Sequence, residues 1–189
     1  TDDYVFLQGG WVGLQDDYVI KKTKAFIKNR EEILSGLSAF GSDGFTLGSD
    51  AGPNANSGTY ASWNWKAGTS FSNDASSTGV GSLDSSGSKN TTAGFSIISF
   101  TGTESGTPSI AHGLSSTPEF IISKARDVSD NWMVFHGSFS AQEYISLNST
   151  GAKASASSVW NSLPSSTVIN MGDNAGVNDD GAMIMYAFN

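Results

Sequence analysis

Leu47-Gly48-Ser49-Asp50-Ala51-Gly52-Pro53-Asn54 runs through Ala55-Asn56-Ser57-Gly58 into Ala61-Ser62-Trp63-Asn64-Trp65. Near the other terminus, Met171-Gly172-Asp173-Asn174-Ala175-Gly176-Val177-Asn178 runs through Asp179-Asp180-Gly181 into Ile184-Met185-Tyr186-Ala187-Phe188. The second copy is one residue shorter in its loop, yet the alternation beyond the loop stays in phase. Ala61, Trp63 and Trp65 correspond to Ile184, Tyr186 and Phe188. Successive side chains of a strand point to opposite faces, so a one-residue slip would turn every one of them over. Phase retention across a deletion is therefore a structural constraint, and it predicts two related β units. Trp63, Trp65, Tyr186 and Phe188 are expected to form the core row of that repeat. A weaker echo precedes each copy, where Phe26-Ile27-Lys28-Asn29-Arg30 resembles Ile122-Ser123-Lys124-Ala125-Arg126.

Working outward, short β-branched or aromatic runs recur between turn residues. Strands are predicted near Tyr4–Gln8, Tyr18–Lys22, Ala25–Asn29, Gly44–Gly48, Thr59–Lys66, Gly94–Thr101, Glu119–Ala125, Trp132–His136, Glu143–Asn148, Thr167–Gly172 and Ala182–Phe188. Short helices are predicted only over Glu31–Phe40 and Ser138–Gln142. The pattern is all-β, and of the sandwich and barrel solutions we take an antiparallel, jelly-roll-like β-sandwich of two related units. Residues 1–67 form the first unit and residues 93–189 the second. Residues 68–92, rich in Ser and Gly, are expected as a linker or a strap pinned by Phe71, Val80 and Leu83.

Composition narrows the function classes. The 189 residues are 38% hydrophobic, 11% aromatic and only 15% charged, with a net charge of −8. Phosphate binding needs the opposite balance, so nucleic acid is excluded as a partner. Lys21, Lys22, Lys24, Lys28 and Arg30 are the local exception, read as a solvated or edge-protecting strand, with an anionic partner as the alternative. There is no cysteine, which removes disulfides, zinc ribbons and thiol nucleophiles. No stretch approaches a membrane span, so no membrane insertion is expected. The N-terminus carries no basic-then-apolar leader, which predicts release by lysis or a fragment of a longer protein.

Candidate sites are sparse. His112 and His136 have no partner at a telling spacing, so no metal site is expected from them. The acidic loop Asp173, Asn174, Asn178, Asp179, Asp180 departs from the alternating register of a calcium loop. Its repeat mate keeps a single carboxylate, Asp50, so a hairpin loop with Asn and Gly at positive φ accounts for both, and calcium is disfavoured. No cofactor is expected. The acids sit in turns, and nothing pairs Glu119 with Glu143 as glycoside hydrolysis requires. No catalytic residue is therefore assigned. Trp160, in a loop-like setting, and Trp132 are the candidates for ligand or surface contact.

The order of several segments resembles a known group. These are Asp43-Gly-Phe-Thr-Leu-Gly48, Trp63-Asn-Trp-Lys-Ala-Gly68 and Asn90-Thr-Thr-Ala-Gly-Phe-Ser-Ile-Ile-Ser-Phe-Thr-Gly102. They continue through His112-Gly-Leu114, Pro118, Phe120-Ile-Ile-Ser-Lys124, Trp132 with His136, Glu143-Tyr144 and Leu147-Asn148. Over about residues 25–189 the chain resembles the β-rich virion and tail-fibre-like domains of phages that infect marine bacteria. The resemblance implies a virion structural protein, in a tail fibre, knob or surface appendage, with a host-adhesion role. It also implies a homo-oligomer whose partners are other virion proteins and a host surface glycan. Loops Ser49–Ser57, Ser129–Asn131 and Ala154–Leu163 are the expected contact points. The alternatives are capsid decoration without a host ligand and, third, a polysaccharide-degrading enzyme.

Overall fold

The structure, a computed structural model, describes residues 4–8, 19–21, 36–41 and 44–189. The expected strand at 25–29, its Lys-x-Arg echo and the basic run beyond Lys21 lie outside these residues. The chain divides into two compact units, which meet in sequence at Lys66 and Ala67.

In the first unit, strand β1 (Tyr4–Gln8) pairs antiparallel with β2 (Val19–Lys21) and with β5 (Ser62–Lys66). A separate ribbon joins β3 (Leu37–Phe40) to β4 (Phe45–Leu47). The helix expected over 31–40 is thus overturned at its end. Gly36 and Gly41 bracket residues 37–40, and their hydrogen bonds to Gly48 (2.8 Å) and Gly44 (2.7 Å) close a ribbon in place of a helical turn.

The second unit is built on one antiparallel sheet. Its strands are β6 (Thr69–Asn73), β7 (Ser85–Asn90), β8 (Phe95–Thr101), β10 (Phe120–Ala125), β11 (Met133–His136), β12 (Glu143–Ser146), β13 (Ala154–Ser155) and β15 (Ala182–Phe188). Their spatial order is β13-β12-β11-β10-β15-β8-β7-β6, so the last strand in sequence is central. That place fits its sequence, Ala-Met-Ile-Met-Tyr-Ala-Phe, a continuous apolar run suited to burial on both faces. Residues 183–187 are all buried. Met183, Met185 and Ala187 share one core with Ile98, Phe100, Ile121 and Phe135.

A thinner second layer closes that core. The ribbon of β9 (Ser109–Ala111) and β14 (Val168–Asn170) contributes Ile110 and Ile169, and the flanking segments contribute Leu114, Val159, Trp160, Met171 and Val177. The fold is therefore the expected all-β, antiparallel sandwich. Residues 138–142, expected as a helix, form turns, with Gln142 at a φ of 72°.

The Ser/Gly-rich stretch 68–92 is neither linker nor strap. It forms the sheet edge, β6 and β7, joined through one helical turn, α2 (Ala75–Thr78). Its apolar content is low because small polar residues serve in the interior. The Ser85 hydroxyl donates to the Ala111 carbonyl at 3.0 Å. Gly87 is required as well, since a Cβ there would collide with the carbonyl of Ile97 on the neighbouring strand.

The sequence repeat has a precise structural counterpart. Residues 51–54 (α1) and 175–178 (α3) are each a single helical turn. The Asp50 side chain accepts from the Gly52 N–H at 2.6 Å, and the Asn174 side chain accepts from the Gly176 N–H at 2.9 Å. Asn54 Nδ2 donates to the Gly48 carbonyl at 2.8 Å, and Asn178 Nδ2 donates to the Gly172 carbonyl at 3.1 Å. The expected positive-φ hairpin loop is corrected: the caps are extended residues with φ near −64° and −73°. Side-chain capping of exposed N–H groups, the standard role of Asp and Asn here, explains the repeat instead.

The two copies differ in depth. Asn54 is exposed, whereas Asn178 has no solvent exposure. Asn178 Oδ1 also accepts from the Thr103 N–H at 2.9 Å, and its own carbonyl accepts from Glu104 at 2.8 Å. Replacing it orphans buried groups at about 1–3 kcal/mol each. Asn178→Ala is expected to lower unfolding free energy in urea by at least about 2 kcal/mol. Asn178→Asp should not rescue it, because its carboxylate cannot donate to Gly172. Asn54→Ala should cost under about 1 kcal/mol.

Candidate functional site

Trp160, expected as a ligand-contacting residue, is only 2% exposed. It lies edge-on to Phe135, with ring centroids 6.3 Å apart, and belongs to the main core. The correction has a simple cause. A turn over residues 157–159 carries Trp160 into the core, where its ring packs beside Phe135 of β11. Trp132 is half-buried, and its backbone N–H is held by the Asn148 side chain at 3.0 Å. Of the repeat-core residues, Tyr186 is 1% exposed, Phe188 and Trp65 are half-buried, and Trp63 is placed on β5 opposite Leu7. Burial pushes the acidity of the Tyr186 phenol well away from physiological pH, which suits a packing residue.

Phe188 belongs to a surface where aromatic and charged groups converge. Phe95, Phe188, Phe120 and His136 are direct cross-strand partners on β8, β15, β10 and β11. Their rings form a ladder with centroid spacings of 4.8, 5.7 and 6.3 Å. Phe139 continues it, 5.7 Å from His136 and edge-on to Phe135. The ladder thus runs from the buried Phe95 to the exposed His136 at the rim.

Charged groups border that rim. Lys153 Nζ lies 5.4 Å from the centroid of the Phe139 ring and 2.8 Å from Glu143 Oε1. The other carboxylate oxygen accepts from the Ser140 N–H at 2.7 Å. The Lys153 hydrogen bond, followed by that from Ser140, holds the Glu143 carboxyl below its usual range. At His136, Nδ1 accepts from the Ser138 N–H at 3.1 Å, which leaves Nε2 as the ring's N–H donor. The rim therefore offers a π surface, a ring N–H donor, an ammonium and a carboxylate within one small area. Sequence reasoning missed it because Lys153 reaches Glu143 and Phe139 from a different connection, β12–β13, and that contact leaves no trace in spacing.

Of the expected recognition loops, the 154–163 segment reaches the rim and Ser129–Asn131 does not. Ser129–Asn131 lies at the opposite end of the sheet, beside the start of β15. There the Lys124 ammonium, itself 8% exposed, donates to the Val128 (3.2 Å) and Asp130 (3.0 Å) carbonyls. The 154–163 segment opens at the rim, where the Ala156 N–H donates to the Gln142 carbonyl at 2.9 Å. Ser49–Ser57 belongs to the first unit. Among the described residues no group of three or more His, Cys, Asp or Glu is arranged to hold a metal ion. No described helix is long and apolar enough to cross a membrane.

An antiparallel β-sandwich with an aromatic ladder ending in a charged rim defines this as a β-scaffold module. The chain belongs to the family DUF7483, described as a domain of unknown function, whose pattern matches residues 16–189. Comparison with curated proteins and with solved structures finds no match to either.

Two outcomes test the burial assignments. Trp160→Ala should cost about 3–5 kcal/mol of stability by chemical denaturation. Trp160→Phe should cost much less, since the indole N–H has no hydrogen-bond partner among the described residues. His112, fully buried, accepts at Nδ1 from the Leu114 N–H and contacts the Ser165 carbonyl through Nε2, so the neutral ring fits. Desolvation lowers its pKa from 6.5. The unfolded chain then takes up a proton that the folded chain refuses, so this contribution is complete above pH 6.5 and is lost as pH falls below it. Urea titrations from pH 7.5 down to about pH 5 should give a shallower loss for His112→Gln than for the parent.

Proposed function

We propose that this chain is a structural module of a phage virion, set in a tail fibre, knob or surface appendage, that oligomerises and adheres to a host surface glycan. The observation that carries the adhesive half is the rim of His136, Phe139, Glu143 and Lys153. Sugars present apolar C–H faces and hydroxyl edges. A half-exposed ring flanked by a donor, an ammonium and an anionic acceptor matches both. Mounting such groups on turns of a rigid sheet suits recognition, because the scaffold holds them without an ordering cost at binding. The ordered motifs from Asp43 to Asn148 support the virion half through their resemblance to phage β-rich domains.

The same rim speaks against a glycosidase. A general acid needs a carboxyl pKa raised toward neutrality. Lys153 and the Ser140 N–H shift Glu143 the other way, which suits an acceptor of sugar hydroxyls. The reading therefore assigns no catalytic step and no cofactor.

Adhesion of the labelled chain to susceptible host cells is the test. His136→Ala combined with Lys153→Ala is expected to reduce binding at least tenfold with an unchanged melting temperature. Equal binding by parent and variant would remove the rim from the proposal. Copy number per particle, by quantitative mass spectrometry, is expected in small multiples. Hundreds of copies, in step with the capsid lattice, would move the protein to capsid decoration.

A further inference from the structure

The two edges of the eight-stranded sheet are unlike. One is β13, only two residues long and preceded by Lys153, which is how natural sheets blunt an edge. The other is β6, Thr69-Ser70-Phe71-Ser72-Asn73, which pairs on one side only, with β7, among the described residues. It carries no charge, no proline and no bulge, its register with β7 is uninterrupted, and Thr69, Ser70 and Ser72 are exposed. An uncharged, regular five-residue edge is a template for another strand.

The sequence of that edge selects the partner. It is nearly symmetric about Phe71, with Ser70 and Ser72 flanking it and the small polar Thr69 and Asn73 outside. In an antiparallel pair of two such strands centred on Phe71, every residue meets its own type or a near equivalent. The strand's ends agree with that centre. Gly68, at a φ of 77°, starts it, and Asp74, the cap of α2, terminates it, so Phe71 is its midpoint. Phe71 is half-buried against the core, with Lys89 Nζ 5.8 Å from its ring centroid. A two-fold partner would bring a second Phe71 ring beside it, a favourable cross-strand aromatic pair. The strand itself carries no charge, and the Lys89 ammonium of each copy lies over the face of its own Phe71 ring.

We infer that β6 is a self-association edge, through which two copies of this chain join their large sheets across a two-fold axis at Phe71. This inference names a surface and a register, and it stands without the virion reading. A five-residue strand pair is a small interface, so the association is weak in free solution and strengthens where copies are held close together on a larger assembly.

The absence of cysteine in the chain makes the register directly readable. In a Phe71-centred pair, residue 70 of one copy lies opposite residue 72 of the other. Residue 70 is then a diagonal 7–8 Å or so from its own equivalent, too far for a disulfide. Ser70→Cys and Ser72→Cys chains, at about 100 µM, are oxidised separately and as an equal mixture. Cross-linking is expected mainly in the mixture and as the 70–72 species. The same cross-link should fall at least tenfold when Thr69→Lys is added to both chains. Equal yields in all three samples, no cross-link in the mixture, or a yield unmoved by Thr69→Lys would each overturn the inference. Circular dichroism of every variant confirms that the fold is retained, and sedimentation of the cysteine-free parent at the same concentration should give a dimer component.

Discussion

The register of β15 against its two neighbours is the constraint on which the second unit depends. It meets β8 through the pairs from Ala182–Thr101 to Phe188–Phe95 and meets β10 from Met183–Ala125 to Phe188–Phe120. Displacement by one residue would exchange Met183, Met185 and Ala187 for Ile184, Tyr186 and Phe188, reversing two differently shaped faces at once. The aromatic ladder makes that displacement costly, because Phe95, Phe188 and Phe120 stack only when their strands are aligned. A ring at the chain's penultimate position thereby locks strands that lie far apart in sequence. The rim beyond the ladder inherits its position from this alignment, since His136 sits opposite Phe120.

The capped turn before β15 is the second half of the same device. Asn174 caps the turn, and Asn178 ties it to both Gly172 and Thr103. The turn therefore fixes where β15 begins relative to the end of β8, with Gly102 donating to the Gly181 carbonyl at 2.9 Å. In the first unit the equivalent turn before β5 uses the same hydrogen bonds at the surface. One local motif thus serves as a register stop where it is buried and as an ordinary cap where it is not. Burial, and not the motif, sets its energetic weight.

What was legible in the sequence follows from these physics. Ala182–Phe188 could be read to the residue because an apolar run with fixed phase has one stable use, and the repeat was legible because Asn and Gly hold the same places in both caps. The edge strand β6 and its neighbour β7 were not. Their inward positions are Asn73, Ser85 and Gly87 as well as Phe71, so polarity alone suggested a segment without structure. Hydrogen bonds from Asn73 to Val80 and from Ser85 to Ala111 replace the apolar contacts that pattern reading looks for. Trp160 misled for the opposite reason. Its segment, Ser158-Val-Trp-Asn-Ser-Leu-Pro164, reads as a loop, yet long-range packing against Phe135 decides its burial. The rim was invisible for a third reason, since proximity across turns leaves no trace in spacing.

Charge placement ties these features to one another. Glu104, Asp127, Asp130, Asp173, Asp179 and Asp180 lie in connections at the end of the sheet where β15 begins, while Glu119 and Glu143 lie at the rim end. The former carboxylates gather at one end of the sheet, partly offset by Lys124 and Arg126 at the end of β10, while Asp74 and Asp84 border the end of β6. The β6 strand itself carries no charge, so charge repulsion is weaker along it than at the acidic end of the sheet. With so few charges in the sequence, β6 carries none, and those beside the Phe139 ring form one Glu143–Lys153 pair.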